Sequence, residues 1–181
     1  MLPGHRDDRM TQQSKLRAAP MASPLHVVLL EPEIPPNTGS IARTCAATRS
    51  TLHLIEPLGF RTDEHSIRRA GLDYWHLVDV LQHRDWGAFR AATPEVRLHF
   101  FSANATRSYL EADILPGDGL VFGKESVGLP DALLEQNADR VWGIPTSGGV
   151  RSLNLSNAVS IVLFEALRRN GALSQTFVEP G

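Results

Sequence analysis

Short apolar runs alternate with helical segments along most of the chain. The apolar runs are rich in β-branched and aromatic residues, which favours strands. Six strands are predicted, at Leu25–Leu30, Leu52–Ile55, Trp75–Leu81, Val96–Phe101, Gly119–Phe122 and Arg140–Ile144. Between them helices are predicted from Asn37 or Thr38 to Thr48 and at Glu64–Ala70, Asp85–Ala92, Asp131–Asn137 and Leu155–Arg169.

This alternation predicts an α/β fold, namely a mostly parallel sheet with helices on both faces. In such sheets ligands bind beyond the carboxyl ends of the strands. The loops that follow the first, fifth and sixth predicted strands are rich in Gly, Pro, Asn and Ser. We therefore expect the functional site to be built from these loops.

The last predicted helix is apolar on almost every side. From Ala158 to Leu167, all residues except Ser160 and Glu165 are apolar. A helix of this kind is buried on more than one side. We expect a second subunit to cover one of these sides; the alternative is that this is the central core helix of a monomer.

The composition is that of an ordinary globular domain, with 42% hydrophobic and 21% charged residues in a chain of 181. Charged residues within residues 1–24 leave no apolar signal segment, so this stretch is interpreted as a flexible extension. No apolar run approaches the about 20 residues that span a bilayer. The single cysteine, Cys45, fits a reducing compartment, and a cytoplasmic protein without membrane contact is expected.

The net charge and the absence of metal-ligand motifs limit the classes of function that the sequence supports. The formal net charge of −2 provides no overall attraction for nucleic acid. Contacts with phosphates would need a local basic cluster or a surface completed by a second subunit. No His-Glu-x-x-His string or paired Cys/His spacing is present, so the seven histidines are interpreted as scattered and no metal is expected.

Three polar segments at the predicted strand ends are candidates for chemistry: Asn37–Arg43, Phe122–Pro130 and Ile144–Asn157. Taken singly, each has an ordinary explanation as a helix cap or a glycine-rich turn. The second is not a P-loop, because Asp118 stands where a glycine is needed and Glu125 replaces the hydroxyl that binds Mg²⁺. The first strand is followed by no G-x-G-x-x-G string, which argues against a dinucleotide-dependent oxidoreductase.

Together and in this order, the three segments resemble the motifs of the SPOUT superfamily, the knotted RNA methyltransferases. The resemblance covers about residues 25–170. The strings Glu31–Gly39 and Arg68–Tyr74 resemble one subgroup, the minimal TrmL-type tRNA (cytidine/uridine-34-2′-O)-methyltransferases. Three positions depart from the subgroup pattern: Arg49 replaces a common glycine, Val127 a frequent arginine and Phe164 a frequent tyrosine.

The resemblance implies a single domain over residues 25–171, with a deep trefoil knot in its C-terminal half and a tail at residues 172–181. It also implies a homodimer, which agrees with the apolar last helix. S-adenosylmethionine would be the methyl donor and would be held in the knot by backbone groups of three loops. The matching cofactor-binding positions are Phe101, Gly123, Ile144, Ser152 and Leu153.

The implied reaction is 2′-O-methylation of the wobble ribose, nucleotide 34, of tRNA, with leucine tRNAs as substrates. The implied catalytic residues are Arg43, Asn37, Glu125 and Asn154. Arg43 would either take the hydroxyl proton or hold the target phosphate and stabilise a developing alkoxide. A guanidinium pKa above about 12 argues against the first role, and a carboxylate beside Arg43 would argue against it further.

Three arginines, Arg68, Arg69 and Arg151, are candidate RNA contacts. An arginine pair can hold phosphates by bidentate hydrogen bonds, although charged pairs on a helix commonly form a solvated face. The dimer surface would have to recognise the anticodon stem-loop without an appended RNA-binding domain. Two alternatives stay open: another tRNA or rRNA site for the same reaction, and a non-catalytic RNA-binding protein of the same fold.

Overall fold

The computed structural model describes residues 14–60 and 75–180 of the chain. The strands are β1 (Lys15–Ala18), β2 (His26–Leu30), β3 (Thr51–Ile55), β4 (Val80–His83), β5 (Leu98–Phe101), β6 (Gly119–Phe122), β7 (Val141–Trp142) and β8 (Thr176–Glu179). The α-helices of the described residues are α1 (Pro35–Thr48), α2 (Trp86–Ala92), α3 (Asp131–Gln136) and α4 (Leu155–Arg169).

The central sheet is parallel throughout and has the strand order β4-β3-β2-β6-β5-β7. Alternate residues of β2 enter two different cores, one on each face of the sheet. Val27 and Leu29 join the core that contains α1 and α4, whereas Val28 and Leu30 join the core that contains Phe89 of α2. Because both faces are covered, the central strands are apolar without alternation. The predicted α/β architecture with helices on both faces is confirmed.

Of the predicted strands, Gly119–Phe122 alone has the predicted bounds, and Trp75–Leu81 and Arg140–Ile144 differ most from the structure. The prediction Trp75–Leu81 is wrong, because Trp75–Leu77 forms a 3₁₀ turn and β4 begins at Val80. As an edge strand, β4 exposes its two middle residues, so apolar positions do not mark its ends. β7 is shorter than predicted and spans Val141–Trp142. The predicted helix Glu64–Ala70 lies outside the described residues.

The start of α1 also corrects the prediction. Pro35 and Pro36 are its first residues, and Ile34, not Asn37 or Thr38, precedes the helix as its N-cap. Proline is well suited to the first turn, because the N–H that it lacks would have no acceptor within the helix. Asn37 therefore lies inside the first turn, with its side chain bonded to residues outside the helix.

Helix α4 has the predicted bounds and two apolar sides. Val162 and Leu163 are completely buried against the sheet. Ile161 and Phe164, on the other side, are 38% and 45% exposed. An apolar side is thus present for the predicted second subunit, which stays a prediction. Within the described residues no helix has the length and apolarity needed to cross a membrane.

The segments assigned from sequence to an extension and a tail pair with each other. Strands β1 and β8 are antiparallel, and Arg17 Nε donates to Glu179 at 2.7 Å. Within the predicted extension, residues 15–18 therefore form a paired strand. All residues of both strands are exposed. The paired side chains are 162 positions apart, so no local pattern could predict the contact.

Three histidines that the sequence suggested to be scattered form one hydrogen-bonded row across β2, β3 and β4. His26 Nδ1 lies 2.9 Å from His53 Nε2, and His53 Nδ1 lies 2.9 Å from His83 Nε2. His53 and His83 both pack edge-on against Phe89. Burial of His53, reinforced by its two histidine neighbours, lowers its pKa to about 3. The row is therefore built from neutral imidazoles.

This row makes the fold sensitive to acid. The unfolded chain binds a proton at His53 near pH 6.5, whereas the native protein does so only near pH 3. The stabilisation is therefore complete above pH 6.5 and decreases as the pH falls from 6.5 towards 3, by up to about 1.4 kcal/mol per pH unit for one group. We expect urea unfolding between pH 8 and 5 to show this decrease.

The matched variants are His53→Phe and His76→Asn. His53→Phe should lower the free energy of unfolding at pH 8 and reduce its dependence on pH, because the titrating group is gone. The exposed His76 lies outside the row, so His76→Asn should retain the wild-type dependence. An unchanged pH dependence in His53→Phe would contradict the assignment.

Candidate functional site

The loops that follow β2, β5, β6 and β7 meet at the carboxyl edge of the sheet. The last residues of these strands are in register: Leu29 pairs with Phe122, and Phe101 pairs with both Phe122 and Trp142. The chain leaves all four strands at nearly the same level. As expected for parallel α/β sheets, the resulting loops enclose a cavity, with a volume of about 700 Å³.

A hydrogen-bond network of Glu125, Asn37 and Asn154 connects three of these loops. The carboxylate of Glu125 accepts from the backbone N–H of Glu33 at 2.8 Å and of Ile34 at 3.2 Å. It also accepts from Asn37 Nδ2 at 2.9 Å. Asn37 Oδ1 in turn accepts from Asn154 Nδ2 at 2.9 Å. Three of the four predicted catalytic residues are thus brought together.

Asn154 is also the N-cap residue of α4. Its Oδ1 accepts from the backbone N–H of Ser156 and Asn157, which is the usual geometry of an N-cap. The helix-cap explanation therefore holds for this residue, and its catalytic role stays a prediction. Asn154 caps its own helix and also contacts Asn37 at the start of α1.

Glutamates after β2 make a second set of contacts with the loop after β6. Lys124 Nζ donates to Glu31 at 2.7 Å, and this ion pair raises the pKa of Lys124. Ser126 donates from its hydroxyl and its backbone N–H to Glu33, both at 2.9 Å, and these bonds lower the pKa of Glu33. Sequence reasoning missed the roles of Glu33, Lys124 and Ser126, although all three lie inside the strings that carry the resemblance.

All five predicted cofactor-binding residues line the cavity. The apolar part of the wall contains residues from the ends of the strands and from the start of α4. The lining residues of this kind are Phe101, Phe122, Trp142, Ile144, Leu153, Leu155 and Ala158. The polar part is formed by the loops at residues 102–104, 123–128 and 151–154. An apolar wall facing polar loops suits a nucleoside with a charged tail, and the volume is in the range of small-molecule sites.

Gly123 is required by the path of the loop after β6. A Cβ at this position would overlap the carbonyl group of Gly128 and the backbone nitrogen of Leu129. The loop closes on itself through the Gly128 N–H, which donates to the Lys124 carbonyl at 2.8 Å. Gly128 has a φ of 79°, a conformation that favours glycine. The glycines of this string thus shape the cavity edge.

Arg43, the fourth predicted catalytic residue, lies on the exposed side of α1 and does not line the cavity. Asn37 and Arg43 are six residues apart, about 240° around an α-helix, so they face different directions. Next to Arg43, Thr44 Oγ1 lies 3.4 Å from Ser160 Oγ of α4. The exposed side of α1 therefore adjoins α4, whose Ile161 and Phe164 are exposed.

The predicted RNA contacts are placed only in part. Arg151 is exposed and lines the cavity, where its guanidinium approaches the carbonyl of Ser126 at 3.5 Å. Arg68 and Arg69 lie outside the described residues. Within residues 14–60 and 75–180, no group of three His, Cys, Asp or Glu side chains is arranged to hold a metal ion.

Known proteins share this chain's sequence and fold. The model of the SpoU rRNA methylase family matches residues 24–164. Over 150 residues the chain is 49% identical to the tRNA (cytidine(34)-2′-O)-methyltransferase of Burkholderia ambifaria, covering 81% of this chain and 96% of that protein.

Two solved structures are similar as well. One, described as giving insights into the 2-OH methylation of C/U34 on tRNA, has a TM-score of 0.76 and 46% identity and covers 81% of this chain and 96% of its own. The AdoMet-bound rRNA methyltransferase from Sinorhizobium meliloti has a TM-score of 0.70 and 25% identity and covers 84% of this chain and 61% of its own. With the family match, these likenesses confirm the resemblance predicted from the three motifs: the chain belongs to the SpoU methylase family of SPOUT RNA methyltransferases.

Proposed function

We propose that this protein transfers a methyl group from S-adenosylmethionine to the ribose 2′-hydroxyl of tRNA nucleotide 34. The observation that carries the proposal is the cavity at the carboxyl edge of the sheet, with the Glu125–Asn37–Asn154 network at its border. The relative from Burkholderia ambifaria, named for this reaction, supports the position on tRNA. Leucine tRNAs are the proposed first substrates, and the cytoplasm is the proposed location.

The residues that would hold the donor are Phe101, Gly123, Ile144, Ser152 and Leu153, since all line the cavity. Bound there, S-adenosylmethionine would supply an activated methyl group on a sulfonium. The enzyme's main task is then to place the ribose hydroxyl in line with that group. The network of Glu125, Asn37 and Asn154 would keep the surrounding loops in one arrangement.

A trefoil knot around α4 is part of the proposal. The end of α4 is bonded to the segment between β5 and β6: Arg169 donates to the Leu110 and Ala112 carbonyls, and Asn170 Nδ2 to that of Ile114. An earlier part of that segment is bonded to Gly143, directly after β7. The chain thus contacts residues 107–114 both before and after the loop at residues 144–154, as a threaded C-terminal helix would require.

The proposed active form is a homodimer. The exposed Ile161 and Phe164 on α4 provide an apolar contact for a second subunit. The exposed side of α1 adjoins α4 through Thr44 and Ser160, so a subunit bound there would approach Arg43. Arg43 would then act within a site completed by two chains, where its cation could hold the anticodon stem-loop phosphate and stabilise the developing alkoxide.

The reaction is tested with purified protein, S-adenosylmethionine and unmodified leucine tRNA. We expect one 2′-O-methyl group at nucleotide 34, located by mass spectrometry of nuclease fragments. Methylation of a different tRNA nucleotide or of rRNA would instead support the alternative target. No methylation together with no binding of S-adenosylhomocysteine would support the non-catalytic RNA-binding protein.

Replacing Arg43 tests its catalytic role. Arg43→Ala should lower methyl transfer by at least about 100-fold, the size expected for loss of one transition-state contact. The affinity for S-adenosylhomocysteine should not change, since Arg43 does not line the cavity. The elution volume on size exclusion should not change either, since Ile161 and Phe164 would provide the apolar contact between the subunits. Arg84→Ala, which removes an exposed arginine paired with Asp85, is the control and should retain full turnover. Turnover near wild type in Arg43→Ala would refute the assignment.

Replacing Gly123 tests the donor site. The Cβ of Gly123→Ala would displace the backbone at Gly128 and Leu129 and so deform the loop. We expect calorimetry to show S-adenosylhomocysteine binding weakened by about tenfold or more, equal to about 1.4 kcal/mol. In Gly148→Ala the new Cβ would meet no atom within 4 Å, so binding should be normal. Equal affinities in the two variants would place the donor elsewhere.

A further inference from the structure

Trp142 is held in the cavity wall by a buried histidine. It lines the cavity, is only 4% exposed, and its indole Nε1–H donates to His99 Nδ1 at 3.2 Å. The guanidinium carbon of Arg107 lies 4.0 Å from the centre of the indole, a cation–π contact. Both the ring plane and the in-plane orientation of Trp142 are therefore fixed.

The hydrogen bonds define the protonation state of His99. An indole N–H can only donate, so Nδ1 of His99 must be unprotonated. Its Nε2 then carries the proton and donates to Asp118 Oδ2 at 3.1 Å. Asp118 also accepts from the Arg97 guanidinium at 2.6 Å and from the Leu115 N–H at 2.8 Å. The series of hydrogen bonds from Trp142 through His99 and Asp118 to Arg97 is therefore complete when the imidazole of His99 is neutral.

We propose that His99 is a positioning residue for the methyl-donor site: by accepting from Trp142 it holds the indole in the wall against which the donor binds. This inference rests on the proposed function, because it assumes that the cavity takes the donor. It also gives the donor site a dependence on pH, because only neutral His99 can accept from Trp142.

The charges around His99 determine the direction of that dependence. Burial lowers the pKa of His99; the hydrogen bond and the charge of Asp118 oppose this, and the cations Arg97 and Arg140 reinforce it. Asp113, which pairs with Arg97, is the other nearby carboxylate. At low pH the protonated Nδ1–H of His99 would face the indole N–H of Trp142. Two donors cannot form a hydrogen bond, so Trp142 loses its acceptor and its indole is no longer held in one orientation in the cavity wall.

The test compares S-adenosylhomocysteine binding by the full-length protein and three variants, measured by calorimetry from about pH 8 to about pH 4.5, so that it extends well below the ordinary histidine pKa. Trp142→Phe keeps an aromatic ring but removes the N–H. Trp86→Phe makes the same change in the core on the opposite face, against Phe89 and Phe100, and is the control. His99→Gln is the conservative variant, because its amide oxygen can accept from Trp142 and its amide nitrogen can donate to Asp118, yet it does not titrate.

For wild type and Trp86→Phe, we expect affinity to stay level above pH 6.5 and to fall together below it, because the pKa of His99 is lowered from its ordinary value of 6.5. At pH 8, Trp142→Phe should bind S-adenosylhomocysteine about two- to tenfold more weakly than wild type, which corresponds to the loss of one hydrogen bond. Its affinity should change little as the pH is lowered further. His99→Gln should retain most of the pH 8 affinity and lose the pH dependence. In turnover assays Trp142→Phe should raise the KM for the donor while leaving kcat and the KM for tRNA unchanged.

Wild-type affinity and pH dependence in Trp142→Phe would overturn the inference, as would an unchanged pH dependence in His99→Gln. Any effect of acid through the row of His26, His53 and His83 would be the same in wild type and in all variants. The difference between the variants therefore reports on His99 alone. Failure of wild type to bind S-adenosylhomocysteine would refute the proposed function instead. In that case the indole N–H resonance of Trp142 should still shift on acidification, since the His99 contact does not depend on a ligand.

Discussion

The carboxylate of Glu125 is the interaction on which the site depends. Pro35 and Pro36 begin α1 without N–H groups, and Ile34 offers no side-chain cap, so the backbone N–H groups that need an outside acceptor at this end are those of Glu33 and Ile34. Glu125 supplies an anionic acceptor from the loop after β6, at the positive end of the helix dipole. Through Asn37 and Asn154 the same network reaches the N-terminus of α4. Two helices and three loops are thus connected by one partly buried set of polar contacts.

The sequence predicted the elements where local chemistry is decisive. Both β6 and α4 have the predicted bounds, because a buried apolar run and an N-capping asparagine mark them directly. The motif residues Asn37, Glu125 and Asn154 were also found, but the sequence indicated neither that Glu125 serves as the acceptor for α1 nor how the three connect. That contact joins positions 88 residues apart, and only the packing of parallel strands brings them together.

Other features were beyond local reasoning for the same reason. The pairing of β1 with β8 and the row of His26, His53 and His83 both depend on register between distant segments. The residues on either side of a histidine in a strand do not indicate whether its side chain faces solvent or a second imidazole. The exposure of Arg43 likewise depends on how α1 packs against α4 and the sheet, which the residues of the helix alone do not indicate.

The two sides of the cavity are held by opposite electrostatic means. At the loop side, hydrogen bonds from Ser126 lower the pKa of Glu33 and the ion pair with Glu31 raises the pKa of Lys124, so the charged forms of these two side chains are stabilised. At the Trp142 side, the anchor His99 must be neutral, and the charge of Asp118 is compensated by Arg97. The carboxylates of Glu31, Glu33 and Asp118 are therefore paired with groups of the protein itself. The net charge of −2 consequently does not describe the surface beside the cavity, where Arg151 is exposed. Local pairing, rather than total charge, determines what such a surface can bind.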